Sequence, residues 1–217
     1  MRVIRNYARE PRMEPPMPDT LPALNPALAA LLSRASVPAR SLTDPGPDDA
    51  AIGLAVAAAL RAPDHGGLRP WRFLVVRGAA RAALGAVLAA SLARRVPQTP
   101  PDRLALEQAK PLRAPVVIVA GAAVRADHPI PAWEQEASAA AGVMNLMNAL
   151  DAQGHGAIWL SSPALRDDAV KRALGFASGD ALLGWIYAGT PAAERPRPPR
   201  PAPDGFWREW RGAEDMA

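Results

Sequence analysis

Arg61, Asp64 and His65 fall within the stretch RAPDHGGLRPW, between an alanine-rich helical run and the apolar segment RFLVV. A helix-to-strand connection needs only a Gly or a Pro. This one adds a cation, a carboxylate, an imidazole and two adjacent glycines, the composition of a loop that touches something. Metal ligation is disfavoured, because His65, His128 and His155 are scattered with neither HxH nor HxxxH spacing and the chain has no cysteine. Nucleophilic catalysis finds no GxSxG elbow, and adjacent residues such as Asp64 and His65 cannot by themselves supply triad geometry. The GxGxxG fingerprint and the P-loop are both absent, and GHGAIW opens a strand where a dinucleotide turn would follow one.

What remains is a set of separated polar positions at the ends of apolar elements. Arg34, Ala35 and Ser36 follow a helix, Arg61 and His65 bracket a turn, Trp159 and Ser161 end one strand, and Gly189-Thr190 ends another. Guanidinium forks, hydroxyls and backbone amides suit a phosphate and the polar edge of a ring system. Taken singly, each has an ordinary structural explanation: a solvated Arg34, a helix-terminal Arg61, a turn residue at His65, a core Trp159. Their joint occurrence carries the argument.

The elements that must position these residues follow from periodicity and punctuation. LNPALAALLSRAS predicts a short helix from Pro26, and PDDAAIGLAVAAALRA a second with Asp48 and Asp49 at its start. RFLVVRG reads as a buried strand, AARAALGAVLAASLARR as a third helix and APVVIVAG as another strand. The longest helix is PAWEQEASAAAGVMNLMNALDAQG, closed by Gly154, and it is followed by strand GAIWLS, helix PALRDDAVKRALG and strand ALLGWIYAG. Helices alternating with apolar strands predict an α/β or α+β layer protein.

At 217 residues the chain suits one domain with tails. No apolar run reaches the length of a bilayer span, and the N-terminus lacks the apolar centre of a secretory signal, so the expectation is a cytoplasmic protein without a membrane partner. The sequence pI of about 10.3 invites a nucleic-acid reading. Residues 1–12 carry four Arg against one Glu, but residues 13–193 carry 16 basic against 15 acidic side chains, and residues 194–217 balance at five each. Backbone binding favours a concentrated basic face, and the body shows none, so no nucleic-acid partner is expected. Proline is concentrated at both ends. Residues 1–22 read as a disordered Pro/Arg-rich arm, 23–193 as the folded domain, and 194–217 as an extended arm whose Phe206, Trp207 and Trp210 are expected to pack on protein.

Four stretches, RAPDHGGLRPWRFLVVRG, KPLRAPVVIVAG, HPIPAWEQEASAAAGVMNLMNALDAQGHGAIWLSS and GWIYAGTP, together resemble the FMN-dependent nitroreductase superfamily, in its small YdjA-like branch. The resemblance covers roughly residues 28–192 in consistent order. It implies an α+β, three-layer fold with a central mixed, mostly antiparallel sheet flanked by helices. It also implies an intertwined homodimer that binds FMN at the subunit interface.

The resemblance assigns flavin contacts to Arg34, Ala35 and Ser36, where Ala35 replaces a second Arg of the branch, and to Arg61 and His65 from across the dimer. It adds Trp159, Leu160 and Ser161, where Leu160 again replaces an Arg. Ala149, Leu150, Asp151, Ala152, Gln153 and Gly154 match the segment that meets the nicotinamide nucleotide, although helix packing explains those residues equally well. Trp133 to Glu136 match a further signature to which a structural role is assigned. The implied activity is ping-pong hydride transfer from NAD(P)H through FMN to nitroaromatics, quinones or related small electron-poor acceptors, with no catalytic side chain and no metal. The two lost arginines keep open a flavin-binding carrier or sensor with little turnover. An interaction module built on the tails ranks below both.

Overall fold

Seven consecutive buried residues, Val116–Ala122, form β3 in the middle of the sheet of the computed structural model, which describes residues 25–193, 199–210 and 212. A continuous apolar run, rather than an alternating one, is what a strand covered on both faces requires. β3 pairs with β2 (Trp71–Arg77) on one side and β5 (Ala181–Pro191) on the other. β5 also pairs with β4 (Gly156–Leu160) and, near its end, with the two-residue β1 (Leu42–Thr43). Every one of these pairings is antiparallel.

Alternate residues of β3 face opposite layers. Val116, Ile118 and Ala120 meet Ile52, Ala55 and Ala59 of α2 (Asp49–Ala59) and Val143, Leu146 and Leu150 of α5 (Ala132–Ala152). Val117 and Val119 join the cluster formed by Leu84 and Leu88 of α3 (Ala80–Arg95) and Val170 of α6 (Asp168–Ala173). The result is the three-layer α+β arrangement expected. Two shorter helices complete it, α1 (Pro26–Ser33) and α4 (Pro101–Gln108).

The structure corrects three local readings. RFLVVRG is not a buried strand: β2 has only β3 as a described neighbour, and of its residues only Val76 is buried. PALRDDAVKRALG is not one helix. Pro163–Arg166 form a 3-10 turn, Asp167 is extended, and α6 begins only at Asp168 because the Asp167 carboxylate accepts the Ala169 amide at 2.9 Å as an N-cap. Helix α4 is an addition, a short half-polar segment that the periodicity did not mark. The arm at residues 1–22 lies outside the described residues, as do 194–198, 211 and 213–217 of the other arm. Within the latter, Phe206, Trp207 and Trp210 are exposed by 69%, 70% and 72%, so they are not packed on their own chain.

Asp167 also ties α6 to α3, through Arg94 at 2.8 Å. Burial by itself raises this carboxyl, but hydrogen bonds from Ser91, Arg94 and the Ala169 amide, with the charge of Arg94, hold it down at about 2 against an ordinary 3.8. A depressed carboxyl contributes stability that is complete above the unfolded-state value and is lost as pH falls through the folded-state value. Asp167→Ala is therefore expected to lose about 1–2 kcal/mol at neutral pH. Denaturant titrations of the two proteins should converge between about pH 4 and pH 2.

Candidate functional site

The connection from α2 to β2 is built by its own polar residues and by α5. Leu60 caps α2, and Asp64 accepts the Leu68 amide on Oδ1 at 3.1 Å and the Arg69 amide on Oδ2 at 2.8 Å. Asp64 is thus the turn residue that orients its neighbours, not half of a catalytic pair. Gly66 and Gly67 take φ of 71° and 66°, left-handed backbone that glycine makes accessible, and after a right-handed Leu68 the chain turns left-handed again at Arg69, φ 52°. A Cβ on Gly66 would lie 2.6 Å from Ile130, so the closest neighbour of that glycine is protein. Gly67 has open space beside it.

Helices α2 and α5 run antiparallel. Gln153 near the end of α5 reaches the Ala51 carbonyl near the start of α2, while Gly142 lies against the Ala59 carbonyl at the end of α2. The N-terminal half of α5 therefore sits under the loop. Ser138 donates its hydroxyl to the Pro63 carbonyl at 2.6 Å and receives the Trp71 indole N–H on its own carbonyl at 3.0 Å. Glu134, one turn earlier, meets Nδ1 of His65 at 2.8 Å. Around this loop opens a cleft of about 510 Å³, lined by Leu60, Asp64, Arg69, Trp71 and Arg72 among others.

Arg61 is exposed, and among the described residues its guanidinium has neither a hydrogen bond nor an ion pair. Arg34 is in the same position: it caps α1 through its backbone N–H to Ala30, and its half-buried side chain has no described partner. Ser36 is exposed beside it, and Val37 then donates to the Ala157 carbonyl at 3.0 Å, fixing residues 34–36 next to the start of β4. That is the end of the sheet where α5 finishes. Arg61 and His65 lie at the opposite end of the α2–α5 pair. One chain thus presents two cationic groups, and it presents them apart.

Trp159, Leu160 and Ser161 occupy the far end of β4, with Leu160 and Ser161 exposed. The Trp159 indole is held from within. β5 carries an irregularity opposite β3, where Gly184 pairs with Ala120 and Leu182 with Gly121, leaving Leu183 as the extra residue. Its carbonyl accepts the Trp159 N–H at 3.1 Å, and the indole lies over Gly184. The segment 149–154 is likewise occupied by structural roles. Leu150 is fully buried, and Gln153 donates its amide to the Ala51 and Ala149 carbonyls. Gln135, in the signature that was assigned a structural role, has one: its amide binds the carbonyls of Arg125 and Ile130, and its oxygen accepts the Arg125 amide. The pairing of Glu134 with His65 was not read from the sequence; the early position of Glu134 in α5 was its only signal.

The Nitroreductase family profile matches residues 31–190. The chain belongs to the nitroreductase family. "Putative NAD(P)H nitroreductase YdjA" of Escherichia coli is 36% identical over 167 residues, which cover 76% of this chain and 88% of that one. A nitroreductase-like family protein from Bacillus cereus shares the fold with a TM-score of 0.74 at 19% identity, over 89% of this chain and 100% of that one. A mutant of the FMN and NADPH-dependent nitroreductase NfnB from Sphigopyxis sp. strain HMH gives 0.65 at 23% identity, over 87% and 100%. The general chemistry of the nitroreductase family is flavin-dependent oxidoreduction. Among the described residues, no helix is long and apolar enough to cross a membrane, and no cluster of three or more His, Asp or Glu could hold a metal.

Proposed function

We propose that this chain is an FMN-dependent oxidoreductase of the YdjA-like branch, working as a homodimer with the flavin between subunits. Its reductant is NAD(P)H, and its acceptors are nitroaromatics, quinones or related small electron-poor compounds. The observation that carries the reading is the separation of two partnerless guanidinium groups, Arg34 and Arg61, at opposite ends of one protomer. Two subunits that face each other bring one group of each kind to a shared anionic ligand. The residues present fit FMN: Arg34 and Ser36 offer a cation and a hydroxyl to the phosphate, and Arg61 and His65 reach over from the other subunit.

The surface supports the dimer. Trp133, Ala137 and Met144, aligned along one side of α5, are exposed, as are Leu28, Leu31 and Leu32 of α1. Contiguous apolar surface of this kind marks an interface. The exposed Phe206, Trp207 and Trp210 of the C-terminal arm would pack on the partner. FMN, when bound, would supply the redox chemistry by taking a hydride from NAD(P)H and passing it to the acceptor. The protein's part is to hold the ring, neutralise the phosphate and control access. From residues 149–154, the exposed Ala152 and Gly154 are the positions open to contact with the nicotinamide nucleotide, since Leu150 is buried and the Gln153 amide is engaged.

The deciding experiment is anaerobic mixing of the purified protein with NADH or NADPH while the flavin band near about 450 nm is followed. Bleaching, and recovery on adding a nitroaromatic, is the expected result. A yellow dimer that does not bleach favours the carrier, for which Ala35 and Leu160 speak; a colourless monomer overturns both.

A further inference from the structure

We propose that Glu134 is a positioning residue for the flavin loop: its carboxylate fixes His65 with the hydrogen on Nδ1 and so presents Nε2 as an acceptor. The inference rests on the flavin reading above and deepens it. Three residues of α5 at helical spacing, Glu134, Ser138 and Gly142, form one rail along the loop. Gly142 admits Trp71 and the end of α2, with a would-be Cβ only 2.7 Å from the Trp71 ring. Ser138 holds Pro63 and Trp71, the two ends of the turn. The third contact, Glu134 to His65 at 2.8 Å, differs in kind. The first two fix backbone or a packed ring, whereas Glu134 reaches a side chain that is 69% exposed and makes no other described contact.

A contact to a loose surface imidazole contributes little to folding. What it does fix is chemistry. A carboxylate on one ring nitrogen sets which nitrogen carries the hydrogen and which way the ring faces. A carboxylate can only accept, so Nδ1 must donate. In the neutral ring Nε2 is then a lone pair directed away from α5. The complementary group on the flavin is therefore a donor, a ribityl hydroxyl or a ring N–H. Free imidazole side chains favour the opposite tautomer, so this one has to be imposed.

Two measurements test this. With only three histidines in the chain, the ring nitrogen shifts of the apoprotein can be assigned, and His65 is expected to show the Nδ1–H tautomer in wild type and to lose it in Glu134→Ala. FMN titration then gives a double-mutant cycle. Glu134→Ala is expected to weaken FMN by about three- to tenfold. Glu134→Gln, whose amide oxygen still accepts from Nδ1–H, should return to within about twofold of wild type. The Glu134→Ala, His65→Ala double variant should bind no worse than His65→Ala alone. A merely structural Glu134 would lower affinity by the same factor in both backgrounds; that result, or an Nε2–H His65 in the wild type, overturns the inference. A wild-type chain that binds no FMN would instead remove the flavin reading and this inference with it.

Discussion

A Gly184→Ala protein is expected to melt about 6–12 °C below its parent, which corresponds to about 3 kcal/mol for a domain of this size. The added methyl would project into the Trp159 indole and stand 2.7 Å from the Leu160 carbonyl. Neither obstacle yields easily. The Leu160 backbone is paired with Trp185 across β4 and β5, and the Trp159 ring is anchored by its N–H to the carbonyl of the bulged Leu183. Displacing the ring leaves that part-buried carbonyl without its donor, a loss that adds to the overpacking. Because Trp159–Ser161 is a candidate flavin edge, weaker FMN binding should accompany the lower midpoint. Calorimetry and FMN titration on the same sample measure both.

Arg61→Ala separates function from stability in the opposite way. A charge-assisted hydrogen bond contributes about 1.5–3 kcal/mol, so FMN affinity should fall about 10- to 100-fold. The apoprotein should scarcely notice. The Arg61 guanidinium has no partner among the described residues, and a cation just past a helix end contributes at most about 1 kcal/mol. A midpoint lowered by no more than about 4 °C is expected. Arg61→Lys retains the charge without the fork and should lie between the two. Unchanged affinity in Arg61→Ala would remove this residue from the flavin site.

The elements with strong punctuation were legible in the sequence. β3 is bounded by Pro115, and α5 runs from just after Pro131 to a Gly154 with φ of 83°, as its proline and glycine indicate. What periodicity cannot convey is neighbourhood. RFLVVRG is as apolar as a buried strand, yet it lies at the sheet edge because no further strand pairs with it among the described residues. The split at Asp167 escaped because Asp is a cap only where the backbone is extended, and that depends on Arg94 and Ser91 from a helix some seventy residues earlier. At the candidate site, the sequence singles out Arg34, Arg61 and His65 because polar residues at element ends are visible in one dimension. The Glu134–His65 pair spans 69 positions and exists only once α5 lies against the loop.

The rail on α5 also sets what this helix can tolerate over time. Glu134, Ser138 and Gly142 stay aligned only because each step of four residues returns to nearly the same side of the helix. Insertion or deletion of a single residue between Ser138 and Gly142 would rotate both upstream contacts by about 100° relative to Gly142. Glu134 and Ser138 would leave the loop together, although neither had been replaced. The first half of α5 can therefore accept substitutions one at a time, but its length is locked to the loop that carries Arg61 and His65.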